Sequence, residues 1–85
     1  MTLNIRCYDN GGKTADRFTV VYLGKPERAR NTFAARGMDS TPFHPQGIGM
    51  SCTAVPGRHL GLRVNLKDLP ADCQQLVRAD LAGNS

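Results

Sequence analysis

The chain has 85 residues, 40% of them hydrophobic and 21% charged, with 11 Lys and Arg against 7 Asp and Glu for a net charge of +4. A chain this short is expected to form one domain, residues 1–85, and to bury only about 60–65% of the surface its unfolded form exposes, which excludes a deep catalytic cleft between two lobes. No polar or charged run marks disorder, no apolar run approaches the roughly 18 residues of a membrane span, and "MTLNIRCYDN" lacks the basic head and apolar core of a signal peptide, so a cytoplasmic protein with no membrane partner is expected.

In chain order, "LNIRCY" alternates Leu3, Ile5 and Cys7 with Asn4, Arg6 and Tyr8, the two-residue period of a half-buried strand. "RFTVVYL" is rich in β-branched and aromatic residues and predicts a second strand with Phe18, Val20 and Tyr22 on one side. Between them "DNGGKTAD" is dense in turn residues, and Asn10-Gly11 is a strong hairpin signal, so the two strands should pair antiparallel. Residues 25–38 are compatible with a helix opened by Pro26 or with a loop leading into a strand over about residues 32–37; the clustering of Phe33, Ala34 and Ala35 favours loop and strand. "PQGIGMSCTAV" suggests one or two turns of helix weakened by Gly47 and Gly49, and "VPGR" suits a type II turn with Pro56 and Gly57 at its centre. "HLGLRVNLK" alternates Leu60, Leu62, Val64 and Leu66 with His59, Gly61, Arg63 and Asn65, which predicts a strand over the whole stretch. After it, Leu69, Cys73, Leu76, Val77 and Leu81 fall at helical spacing, with Pro70 in the first turn, Asp68 as candidate cap and Gly83 beyond the end. The expectation is an α+β domain: a small antiparallel sheet, made of the N-terminal hairpin and two further strands, with a short middle helix and a C-terminal amphipathic helix across it.

Gly12-Lys13-Thr14 has the tail of the phosphate-cradling pattern G-x-x-x-x-G-K-[ST]. The first position of that pattern falls on Cys7, and a strand rather than a helix follows Thr14, so both physical requirements of such a loop fail. Two readings of the loop remain: an anion nest of the Gly11 and Gly12 N–H groups near Lys13 and Arg17, or a turn whose Asp9, Thr14 and Asp16 side chains satisfy its own backbone. Cys7, Cys52 and Cys73 are odd in number and widely spaced, which suits small core hydrophobes better than disulfides or zinc ligands. His44, Cys52 and His59 match no standard metal or nucleophile spacing, so no catalytic residue, metal ligand or cofactor is assigned; a small Cys/His-dependent enzyme is the minority alternative.

The basic residues are concentrated before residue 64, whereas the C-terminal helix carries Asp68, Asp72 and Asp80 against Lys67 and Arg78. An anion- or partner-binding face is therefore expected on the sheet and its loops, with Lys13, Arg17, Arg28, Arg30 and Arg58 as its candidates. Basic residues interleaved with Tyr8, Phe18, Tyr22 and Phe33 would also suit weak or single-strand nucleic-acid binding, although no base-reading motif is present.

"YDNGGKTADRFTVVYLG", with "FAARGM", "PFHPQGIGMSC" and "GRHLGLRVNLKDLPADCQQLVRADL", resembles a group of small proteins of bacterial genomes, phages and other mobile elements typified by a Y-D-N-G-G-x-T-x-D-R-[FY]-T-V-V start. The likeness spans most of the chain and transfers no activity or functional residue. It implies a stand-alone small protein of phage or plasmid-like origin that binds a host or phage macromolecule. Together with the charge distribution, the expectation is a non-enzymatic binding module that uses a basic sheet and loop surface, with a protein the preferred partner and nucleic acid the alternative.

Overall fold

The structure, a computed structural model, describes residues 4–28 and 30–83. Five strands, β1 (Ile5–Asp9), β2 (Phe18–Pro26), β3 (Phe33–Met38), β4 (Gly49–Ala54) and β5 (Leu62–Val64), form one antiparallel sheet in the order β4-β3-β2-β1-β5. Among the described residues one α-helix, α1 (Ala71–Gly83), follows. The α+β class and the N-terminal hairpin agree with the pattern reading: Cys7 pairs with Val20 and Asp9 with Phe18.

Several finer expectations are corrected. The stretch read as a middle helix is β4, which pairs residue for residue with β3, Met38 opposite Gly49 and Phe33 opposite Ala54. It is an edge strand, largely exposed on both faces, and the alternation of Met50, Cys52 and Ala54 with Ser51 and Thr53 is masked by the small residues, by Gly47 before it and by Gly49 at its start. Three strands, not two, are therefore added to the hairpin. Within residues 25–38 the loop-and-strand alternative holds for the end of the stretch, where Phe33–Met38 form β3. The long C-terminal strand shrinks to Leu62–Val64, flanked by 3-10 turns at Arg58–Leu60 and Leu66–Asp68. Gly57 is extended (φ 164°, ψ 176°), so no type II turn forms at Pro56-Gly57. Asp68 closes a capping box with Asn65 on the second 3-10 turn rather than capping α1, and Gly83 is the last helical residue, not the residue after it.

The sheet is buried on both faces at its centre, which explains why every residue from Phe18 to Tyr22 is shielded. On one face Leu69, Cys73 and Val77 of the C-terminal segment pack on Cys7, Phe18, Val20, Tyr22 and Met38. A 13-residue helix of this composition is marginal alone, so its stability comes from this apolar seam. On the other face Tyr8, Val21 and Ala35 form a smaller cluster, covered in part by Leu60. Leu60 arrives there because the chain must run from β4 at one edge to β5 at the other, and residues 55–61 make that crossing over the face opposite α1. Among the described residues no helix is long and apolar enough to cross a membrane.

Candidate functional site

The crossing segment, the β1–β2 turn and the outer face of β1 and β5 enclose a cleft of about 950 Å³. Arg6 lines it from β1, Arg63 from β5, Lys13 and Arg17 from the turn, and Arg58 and His59 from the 3-10 turn, over the almost wholly buried Tyr8. Five basic side chains and one carboxylate, Asp9, line it; the rest of the chain is left with six of each sign. The whole net charge of +4 is thus gathered in one concavity, where low-dielectric walls focus it.

Local chemistry sets the walls. Asn10 Oδ1 accepts from the backbone N–H groups of Gly12 (2.8 Å) and Lys13 (3.0 Å), and Asp9 Oδ1 accepts from that of Gly11 (2.8 Å). The turn donors are thereby taken by the turn's own side chains, Asp9 as expected but Asn10 in place of Thr14 and Asp16, whose side chains bond each other. Gly11 and Gly12 have φ of 76° and 89°, the left-handed region that lets the turn close. Gly61 (φ 121°) lies against the opposite wall, and a Cβ on it would stand 2.5 Å from the Asp9 carbonyl oxygen.

Asp9 is committed to Arg17 through a two-pronged contact, Nε to Oδ1 at 2.8 Å and Nη2 to Oδ2 at 3.2 Å. The hydrogen bond from Arg17, followed by that from Gly11, holds the Asp9 carboxyl below the usual carboxylate range. Arg17 also stacks over the Phe18 ring at 5.2 Å. Among the described residues Arg6, Lys13, Arg58 and Arg63 form no ion pair, and the buried Nε of Arg6 has no hydrogen-bond partner.

Of the residues proposed from sequence, Lys13, Arg17 and Arg58 meet in this cleft. Arg28 and Arg30 do not: they are exposed in the β2–β3 connection, at the far end of a nine-residue strand that spans about 30 Å. Arg6 and Arg63 were missed. Each alternates out of the apolar face of its strand, but only the pairing of Tyr8 with Arg63 shows that the two share one surface.

The aromatic residues considered for base stacking are differently placed. Tyr8, Phe18 and Tyr22 are buried, the last two under α1, and Phe33 packs beside Val21 and Ala35. Cys52 is exposed on β4, so only Cys7 and Cys73 are core thiols; partial burial nevertheless pushes the Cys52 thiol up, away from a reactive thiolate. Cys52 and His59 are separated by the sheet, since β4 and β5 are its opposite edges. His44 Nδ1 accepts from the Gln46 N–H within the β3–β4 connection. Among the described residues no three His, Cys, Asp or Glu side chains gather in a way that could hold a metal. In comparisons with known proteins, no protein-family model, no curated protein and no solved structure matches the chain.

Proposed function

We propose that this protein is a cytoplasmic, non-enzymatic binding module that takes an acidic segment of a protein partner into the cationic cleft. The observation that carries the reading is the gathering of the chain's net charge in one concavity, with four of its five basic side chains uncommitted to any carboxylate of the described chain. An acidic segment supplies the missing countercharge and gains affinity and orientation from it. A protein partner is preferred to nucleic acid because the burial of Tyr8, Phe18 and Tyr22 withdraws the ring faces that would stack bases. The resemblance to phage and mobile-element proteins suggests a host or phage protein as that partner.

The test is a salt titration by fluorescence anisotropy of a labelled glutamate-rich decapeptide, a single-stranded oligonucleotide and a duplex. The peptide is expected to bind at physiological salt and to be lost in the Arg58→Glu/Arg63→Glu double variant. Oligonucleotide binding is expected to be weak, with log affinity falling by about 0.7 to 0.9 per phosphate contact against log salt. Oligonucleotide binding that persists at physiological salt, with no peptide binding, would replace the protein partner with nucleic acid.

A further inference from the structure

Arg6 poses a question that the cleft's overall charge does not answer. Its Nε is buried and donates to nothing among the described residues. A buried guanidinium N–H without an acceptor is unfavourable, more so than a neutral donor. Arg63 compounds the problem: it lies opposite Tyr8 on the neighbouring strand, one step along the same face from Arg6, and like charges so placed repel. The two arginines also line a second cavity of about 290 Å³, which runs along the β1–β5 seam toward Asn65 and Leu66. The one carboxylate of the cleft cannot serve them, because Asp9 is held by Arg17 and by the Gly11 N–H.

We infer that Arg6 and Arg63 form the floor of a phosphoryl-binding subsite, with Arg58 on its rim, and that the segment held in the cleft carries a phosphorylated serine or threonine there. The inference rests on the acidic-segment reading above and narrows its ligand. The chain itself shows what a carboxylate does: Arg17 forks Asp9 and Arg36 forks Asp80, one guanidinium to each carboxylate. Arg6 and Arg63 line both cavities, and Arg58 lines the larger one with them. A phosphate monoester carries about −1.5 to −2 charge at neutral pH and three acceptor oxygens, so it can accept from several arginines together and offset more than one of their charges, where a carboxylate brings two oxygens and a single charge. Arginine rather than lysine at both floor positions fits this geometry, because its planar fork matches a pair of phosphoryl oxygens.

Two forms of one decapeptide, glutamate- and glycine-rich with a central serine, test the subsite: one phosphorylated, one not, titrated by anisotropy with inorganic phosphate as competitor. The phosphorylated form is expected to bind at least about tenfold more tightly, and inorganic phosphate to displace it. Arg63→Gln, at an exposed edge position, should abolish the difference without affecting the fold; Arg6→Met, which keeps the aliphatic stem, should do the same, with a thermal melt to show that it is folded. Arg78→Gln on α1 removes the same charge elsewhere and should preserve the difference. Equal affinity of the two peptides, both lost in Arg58→Glu, overturns the subsite and leaves the acidic-segment reading standing. Binding of neither peptide nor inorganic phosphate overturns both. A preference for phosphate that survives in Arg6→Met and Arg63→Gln overturns the assignment to these residues.

Discussion

Arg36 of β3 holds Asp80 of α1 through two parallel hydrogen bonds, Nε to Oδ2 at 2.6 Å and Nη2 to Oδ1 at 2.8 Å, while Tyr22 Oη donates to the same Oδ2 at 2.5 Å. Arg36 Nη1 also donates to the Gly49 carbonyl of β4 at 3.0 Å, so one guanidinium ties the helix to two strands. The geometry fixes where α1 lies across the sheet, which the weakly amphipathic helix could not specify alone.

Asp80→Asn is expected to destabilise the protein by about 2–3 kcal/mol, less than a fully buried pair because both side chains keep some solvent contact. Burial pushes the Asp80 carboxyl up, but the hydrogen bonds from Arg36 and Tyr22 and the Arg36 charge outweigh it and hold the folded value below the ordinary one. A depressed folded value means that the stabilisation is present above the unfolded carboxylate range, near about 3.9, and is lost as pH falls through the folded value. Urea midpoints measured downward from pH 5 should therefore fall less steeply in Asp80→Asn than in the parent. Parallel slopes would remove Asp80 from the acid transition.

Alkaline pH should act through the core thiols. Burial raises both Cys7 and Cys73 from 9.0 to about 11, the nearby Arg63 charge partly opposing the rise at Cys7. A raised folded value contributes stability that is whole below the unfolded value and disappears as pH rises toward the folded one, so urea midpoints should decline between pH 9 and 11. Cys7→Ala with Cys73→Ala should flatten that decline, whatever the double variant does to stability at pH 7. An unchanged slope would assign the decline elsewhere.

The β1–β2 turn makes a discriminating pair of substitutions. Asn10 accepts two backbone N–H groups and donates to Thr14 Oγ1, whereas among the described residues the Asp16 carboxylate accepts the Thr14 hydroxyl alone. Asn10→Ala should destabilise by about 1–2 kcal/mol, and Asp16→Ala by under about 0.5 kcal/mol. Chemical denaturation compares them directly. The larger loss in Asp16→Ala would mean that the hydroxyl relay, not the Asn10 cap, organises the turn.

Gly61→Ala should damage the cleft as well as the fold. At φ 121° an alanine is strained, and its Cβ would meet Asp9 and Asn10 backbone atoms at 2.5–2.7 Å, so the wall must shift. A destabilisation of at least about 2 kcal/mol is expected, with weakened peptide binding in whatever folds. A wild-type melting temperature would show that this close approach is dispensable.

Where local chemistry decides structure, the amino-acid sequence was sufficient. Alternation marked β1 and β2, Asn10-Gly11 marked the turn between them, and helical spacing of Leu69, Cys73 and Val77 marked α1, because each signal lies within a few residues of the structure it specifies. β4 was hard to read for the opposite reason: Met50, Cys52 and Ala54 alternate with Ser51 and Thr53, but the period is short and follows Gly47 and Gly49, and its extended form is fixed by hydrogen bonding to β3. β5 is only three residues long because that is as far as its pairing with β1 extends, although the apolar alternation runs on to Leu66. Lys13, Arg17 and Arg58 were legible as basic loop residues, but the assembly of the cleft belongs to this second kind. Arg6 and Arg63 lie far apart in the chain, and they share a surface only because residues 55–61 carry the chain across the sheet to pair β5 with β1, a long-range closure that no local pattern of side chains encodes.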